Sequence, residues 1–590
     1  MCGLAGVVGY DLPEASRAER ARRLRDRLRH RGPDGEGLVS LPHASLAHTR
    51  LALVDAEGGA QPRASPDGRF TLVFNGEVYN LPELRAELSP GWDFRSRSDA
   101  EVVLAAFAAW GERCVPRLEG MFSFFVWDAV TEEGFAARDL LGVKPFVYAT
   151  EPRGMVFASE AKGLLALLPG PPRAHREALL EALVAPCFSG VERPLFEGMQ
   201  LLPPGHCLRV TREGVRVWRW GRHALTGPYA HDRRALASRV REALDRAVAR
   251  TLQADHPVGL FLSGGLDSSL LAHLACRQGA RPRAFTVRFE DQDRYDYTRS
   301  HIVGSDDTPF ALACAERLGL EHHLVPVERA RLDGDLDDLC RHNDALPVWE
   351  QELAQHHLAR AASRRVKAVL VGDAADETHY GYHFLLDPEA TAGPEAILRR
   401  LGGAPVKASV MARPIEHFSE KYRILAQDSG HRWEGPEARL LATSFLVLER
   451  WLPRLLHNGD AHTMAHGLEA RVPFADRGLL AVASAVPPSE ALAGATEKSL
   501  LREAARAVLP EDLRLRKKSA LPKDQGAGSA YQRLAARAIA DEGDLLGAVL
   551  DLDALRTLSA PEHRPDERER ALLFRVLCLA RWARIHGVRL

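Results

Sequence analysis

Cysteine at position 2 is a place where one residue could carry both a nucleophile and its base. Removal of Met1, which the small Cys2 side chain permits, frees an α-amine with a pKa near about 7.7 to 8, whose neutral form can take the thiol proton. A second candidate centre is Ser263-Gly264-Gly265-Leu-Asp267-Ser268-Ser269, which follows the apolar run Val258 to Leu262 and opens a helical pattern reaching Arg277. A glycine-rich turn feeding a helix start offers unpaired N–H groups and a favourable dipole to phosphate oxygens. The GxxxxGK[ST] and GxGxxG patterns are absent, so this is neither a P-loop nor a dinucleotide fingerprint. A third centre is acidic: Gly372-Asp373-Ala-Ala-Asp376-Glu377 ends the apolar run Val366 to Val371, where carboxylates could hold magnesium against the same phosphate. Each also has an ordinary reading, since a lone cysteine is commonly a buried small hydrophobe and clustered carboxylates are commonly solvated.

The elements that must position these groups fall into two regimes. Up to about residue 160, short β-like runs (Gly3 to Val8, Arg69 to Phe74, Met121 to Trp127) alternate with Gly/Asp/Asn turns and a few helical stretches such as Ala100 to Trp110. This reads as a strand-rich α+β layer structure. A helix over Arg176 to Val184 and a turn-rich Leu201 to His206 follow, and the composition turns helical with the amphipathic Arg233 to Leu252, which puts a boundary at about 220 to 232. From Pro257 the order is β then α: strand Val258 to Leu262, helix Ser268 to Arg277, strand Ala284 to Phe289, helix Phe310 to Leu318, strand Val366 to Val371. Such alternation implies a parallel sheet with crossover helices. Glu290 to Asp307 is expected to be a loop, and the chain is mostly helical beyond about 390.

Composition narrows the function classes. A length of 590 residues suggests roughly two to four domains. A net charge of −1 gives no general reason to expect nucleic-acid or anionic-membrane binding. The eight cysteines, at 2, 114, 187, 207, 276, 314, 340 and 578, have neither CxxC nor Cys/His ligand spacing, which argues against a disulfide framework or structural zinc and fits a reducing cytoplasm. Met1 to Tyr10 lacks the basic start of a secretory signal, and no apolar run approaches membrane-spanning length.

Six segments in one order, Cys2-Gly-Leu-Ala-Gly6, Arg29-His-Arg-Gly-Pro-Asp34, His48-Thr-Arg50-Leu, Phe74-Asn75-Gly76-Glu77-Val-Tyr-Asn80, Ser96-Arg-Ser-Asp99 and Ala137-Arg-Asp-Leu-Leu-Gly-Val-Lys-Pro145, closely resemble the glutaminase domain of class II, N-terminal-nucleophile amidotransferases. SGGLDSS resembles the pyrophosphate-binding motif of the ATP pyrophosphatase superfamily, and His462 to Phe474, preceded by Asp460, and Thr496 to Glu503 resemble later motifs of asparagine synthetases. The resemblance to the asparagine synthetase family extends over nearly the whole chain. It implies an αββα N-terminal-nucleophile sandwich over 2–220, followed over 230–590 by an α/β parallel-sheet domain with a helical C-terminal part.

The site roles come from the same resemblance. Cys2 is the nucleophile; Asn75 and Gly76 form the oxyanion hole; Arg50, Gly76, Glu77 and Asp99 contact glutamine. ATP is met by Leu262, Ser263, Gly264, Gly265, Asp267, Ser268, Val287 and Gly372; Asp267 and Asp376 ligate Mg2+; Lys498 stabilises charge on the departing phosphate, with Asp460 also catalytic. From the residues alone, Asp99 could instead cap a helix, Asn75-Gly76 make a hairpin turn, and Lys498 be an exposed helix residue. His322-His323 share no helix face and lack an HExxH context, so they are read as structural. The implied partners are glutamine and a small carboxylate, with a homodimer as the expected assembly and no nucleic acid or membrane. The acceptor is aspartate in the family, but Ala374, His379 and Tyr380 stand where relatives have glycine, phenylalanine and glycine, so a different carboxylate in natural-product biosynthesis is kept open. Retention of Cys2, Asp267, Asp376 and Lys498 argues against a silent binding homologue.

Overall fold

A computed structural model describes residues 2–223, 232–299, 304–401, 403–520 and 522–590. Met1, most of the 220–232 boundary and part of the 290–307 loop lie outside the described residues.

The first half is built from β1 (Cys2–Gly9), β2 (Gly35–Leu41), β3 (Ala44–Arg50), β4 (Arg63–Ala64), β5 (Phe70–Val78), β6 (Gly120–Asp128), β7 (Glu133–Arg138), β8 (Val147–Glu151), β9 (Gly154–Ala158), β10 (Gln200–Leu201), β11 (His206–Thr211) and β12 (Gly214–Arg219). Among the described residues they form two six-stranded antiparallel sheets, ordered β10-β8-β9-β1-β3-β2 and β12-β11-β7-β6-β5-β4. Side-chain alternation sorts the layers. Leu4 and Val8 of β1 meet Val73, Phe125 and Trp127 between the sheets. Ala5 and Val7 point the other way, into a cluster with Ala21 and Leu24 of the helix Glu14–Arg27. Leu72, Phe74, Phe124 and Val126 likewise pack outward with the helix Asp99–Trp110. The expected αββα sandwich is the result.

The second half carries β13 (Val258–Phe261), β14 (Arg283–Phe289), β15 (His322–Val327), β16 (Ala368–Leu370) and β17 (Glu469–Arg471), all parallel in the order β15-β14-β13-β16-β17. The parallel sheet matches the alternation read from sequence. Three residues are too few for a periodic signal, and β17 had none. No described helix is long and apolar enough to cross a membrane. The two halves join over Leu51, Leu53, Ala368 and Met464, a small apolar cluster flanked by the Lys367–Asp34 ion pair at 2.7 Å.

Candidate active sites

The first site is assembled on adjacent strands. Cys2 lies directly opposite Arg50 in the β1–β3 register. The Cys2 backbone nitrogen donates to Asn75 Oδ1 at 3.0 Å, while the buried Asn75 Nδ2 has no partner, leaving an unused donor on a side chain that touches Cys2. Asn75 and Gly76 lie inside β5 rather than at a hairpin turn, because nine consecutive residues pair with β6. At Gly76 a Cβ would come within 2.2 Å of the Met121 carbonyl, so the strands can approach this closely only with glycine there. Ser98, not Asp99, caps the following helix; Asp99 is its first residue, with Oδ1 accepting from the Ala100 amide and Oδ2 unpartnered. The Arg50 guanidinium donates to the carbonyls of Val54, Asp55 (2.6 Å) and Ala56, which wrap around it.

Electrostatically the site is a pocket of carboxylates with a shortage of cations. Burial, outweighing the neighbouring Arg471, pushes Glu77 up to about 8. Burial and the nearby Cys2 push Asp99 up to about 7, and burial also raises the Cys2 thiol.

The second site lines a cavity of about 180 Å³ at the carboxyl ends of the parallel strands, the usual ligand crevice of such sheets. Leu262, Ser263, Gly265, Asp267, Ser268, Val287, Gly372, Asp376 and Lys498 all line it. Gly264 does not; it sits beneath the turn with φ +68°, where a Cβ would meet the Ala311 nitrogen at 2.5 Å. The helix begins at Leu266, two residues before the sequence pattern suggests, so its first-turn amides face the cavity. Lys498 is buried, not an exposed helix residue, and its ammonium bridges Asp267 Oδ2 (2.5 Å) and Asp376 Oδ1 (2.6 Å). Lys518 holds the other Asp376 oxygen at 2.6 Å. These two ammonium groups outweigh burial and keep Asp376 well below the usual carboxylate range. Asp373 is pushed the other way, to about 6, by burial and the adjacent Asp376 charge.

Asp460 does not line this cavity. Its carboxylate pairs with Arg31 (2.8 Å) and Lys144 (3.4 Å) of the first half, while Arg31 Nε donates to the Cys2 carbonyl at 3.1 Å. Its neighbour Gly459 faces the cavity beside Asp373. His322 and His323 lie in β15, hydrogen bonded to Thr286 and stacked on Phe285. Ala374 (φ 73°) and Tyr380 (φ 56°) occupy the left-handed region, and the Tyr380 carbonyl accepts from the Lys498 amide at 3.2 Å. Burial holds His379 near 3, a neutral ring packed edge-on to Phe474.

Sequence reasoning singled out none of Asp373, Lys518, Arg516, Arg31, Lys144 and Arg471, although Asp373 belongs to the acidic run read as a possible magnesium site. Arg31, Lys144, Asp373 and Arg471 stood inside quoted motifs; the basic run Arg514 to Lys518 was the available signal for Arg516 and Lys518.

Comparison with known proteins bears on both halves. Residues 1–221 match the glutamine amidotransferase domain family, and residues 239–584 match the asparagine synthase family. The chain is 31% identical over 540 residues to asparagine synthetase [glutamine-hydrolyzing] 3 of Bacillus subtilis (strain 168), covering 89% of this chain and 87% of that protein. It is 27% identical over 562 residues to asparagine synthetase B [glutamine-hydrolyzing] of Escherichia coli (strain K12), covering 92% and 86%. It is 26% identical over 568 residues to amidase chyE of Penicillium rubens, covering 83% and 82%.

Proposed function

The chain belongs to the glutamine-hydrolysing asparagine synthetase family, and from that premise we propose that it transfers the amide nitrogen of glutamine to the side-chain carboxylate of aspartate at the expense of ATP. What carries the reading is that one three-residue strand separates the two sites: in β17, Ala470 lines the ATP-side cavity while Arg471 bonds Glu77 beside Gly76. On this reading ammonia released at Cys2 passes β17 to reach the second site without entering bulk water.

In the first half, Cys2 without Met1 gives its thiol proton to its own amine, and Sγ forms a bond to the glutamine amide carbon. The unpartnered Asn75 Nδ2 and the Gly76 N–H stabilise the oxyanion. As the C–N bond breaks, the leaving nitrogen takes the proton from the amine and departs as ammonia, and water then cleaves the thioester to glutamate. Glu77 and Asp99 receive the α-ammonium, and Arg50 the α-carboxylate. In the second half, a carboxylate oxygen attacks the α-phosphorus of ATP and the α–β phosphoanhydride bond breaks, giving the acyl-adenylate and releasing pyrophosphate, which is held at Ser263 to Ser268 and by Lys498. Ammonia then attacks the acyl carbon, AMP leaves, and Asp373, poised near 6, takes the surplus proton.

Mg2+ would be held by Asp267 and Asp376, whose oxygens already converge on one cation, the Lys498 ammonium, and it would neutralise charge on the pyrophosphate. We further assign the glutaminase unit to 2–220 and the synthetase unit to 230–590, a cytoplasmic location, and a homodimeric assembly. Asp460 serves by position, tying Arg31 and Lys144 of the first half to the second, with Arg31 in turn held to the Cys2 carbonyl.

The reading is tested by supplying glutamine, ATP and aspartate together: glutamate, AMP and asparagine should form in equal amounts. Absence of glutamate, or of AMP with every carboxylate tried, would sink it. A second acceptor is favoured by one observation, the strained Ala374 and Tyr380 at positions where relatives carry glycine, in the segment whose Tyr380 carbonyl accepts from the Lys498 amide. AMP formation with another acid and none with aspartate would establish that variant.

A further inference from the structure

We infer that Arg471, a residue of the ATP-side sheet, is a positioning residue of the glutamine site, so that the pocket for the glutamine ammonium is completed from the opposite half of the molecule. The inference rests on the reading that Glu77 receives that ammonium.

Arg471 is fully buried and every nitrogen of its guanidinium is committed. Nη2 donates to Glu77 Oε1 at 3.0 Å, Nε to Glu469 Oε1 at 2.6 Å, and Nη1 to the carbonyls of Thr251 (2.8 Å) and Gln253 (2.5 Å). Such a fork has one geometry. The Thr251 and Gln253 carbonyls end the long helix Arg233–Thr251 and its exit, and the Arg471 carbonyl accepts from the Val371 amide, one residue before Gly372. The guanidinium is thus anchored through Nε and Nη1 by three hydrogen bonds to the synthetase half and presents its third nitrogen, Nη2, to a carboxylate of the glutaminase half.

The need for it is electrostatic. Glu77, Asp99 and Glu469 lie close enough to influence one another, and burial pushes Glu77 and Asp99 toward their neutral forms. A protonated carboxyl is a poor receptor for an ammonium group. Arg471 is the largest influence opposing that shift at Glu77, and it fixes Oε1 so that Oε2 stays available. Arg50, the other guanidinium nearby, is turned to the 54–56 carbonyls.

The test uses the full chain and compares Arg471→Lys, Arg471→Gln, Glu77→Gln and the Glu77→Gln/Arg471→Lys pair. Steady-state glutamine KM and kcat are read from glutamate release, and the ratio of glutamine-supported to ammonia-supported amide formation is read in parallel. Loss of one charge-assisted hydrogen bond should raise the glutamine KM about tenfold in either Arg471 variant, with a smaller change in kcat and a fall in that ratio. Because Arg471 acts through Glu77, the double variant should be no worse in KM than Glu77→Gln alone. Equal losses of glutamine- and ammonia-supported synthesis, or penalties that multiply in the double variant, would overturn the inference in favour of a structural salt bridge. A raised KM in Glu77→Gln with a wild-type KM in both Arg471 variants overturns this inference alone; an unchanged KM in Glu77→Gln removes both it and the reading of Glu77.

Discussion

The two sites solve opposite electrostatic problems. Around Cys2, Glu77 and Glu469 share the guanidinium of Arg471 with Asp99 close by, and burial keeps Glu77 and Asp99 partly protonated. Around the glycine-rich turn, Lys498 and Lys518 converge on Asp267 and Asp376, and Arg516 pairs with Asp307. The first arrangement suits the ammonium of a zwitterion, the second a polyanion with its counter-cation. They also differ in support. Cys2, Asn75 and Gly76 lie on paired strands, whereas Gly372 to Gly381 is a short loop-and-helix segment with two strained residues. A nucleophile and oxyanion donors must be fixed before substrate arrives, while phosphate groups can reorganise flexible cations around themselves.

The comparison is broken most severely by removing one centre and asking whether the other survives. Cys2→Ala should lower glutamine-supported synthesis by more than about 1000-fold while ammonia-supported synthesis persists, measured as AMP released with each nitrogen source. If both disappear together, the sites are not separable. The reciprocal change, Lys498→Ala, should lower AMP formation by about 100- to 1000-fold because a preorganised cation is lost from a dry site, and glutamate release without ATP should be retained. Asn75→Ala addresses the rigid site alone: with its free Nδ2 gone, kcat for glutamate release should fall about 100-fold.

Proton linkage sharpens the contrast. Glu77 at about 8 and Asp99 at about 7 are raised, so the empty glutamine pocket carries extra protons below those values. A bound ammonium requires them ionised, hence glutamine affinity is weakest at low pH and increases as pH rises from 6 through 8. We expect the glutamine KM to fall by at least about tenfold over that interval, since each carboxyl that must lose a proton contributes up to a factor of ten per pH unit below its pKa. A KM independent of pH would show that these carboxyls do not meet the ligand. The smallest effect concerns the strained segment: Ala374→Gly removes a Cβ held at φ 73° and should stabilise the chain by about 1 kcal/mol, seen as a rise in the thermal midpoint.

Much of this was legible in the sequence where the determining interactions are local. Strand, turn and helix around Ser263 to Arg277 follow from an apolar run, two glycines and a helical pattern within twenty residues, and the structure differs by one residue at the strand end and two at the helix start. The Cys2 segment was legible for the same reason, although its pairing with Arg50 is a property of the sheet. Asp460 shows the limit. Its motif pointed to catalysis, yet its carboxylate turns to Arg31 and Lys144, more than three hundred residues away in the chain.

The sequence by itself determined which chemical groups the chain carries and the two local scaffolds that present them, because hydrogen-bond pairing and side-chain periodicity act over a few residues. Only the tertiary structure decided which charge neutralises which. Arg471 reaches Glu77 across 394 positions, and Lys498 reaches Asp267 across 231. Those pairings, and the displaced proton affinities that follow from them, exist only after burial has stripped water from the partners, and no short-range pattern in the chain encodes that loss.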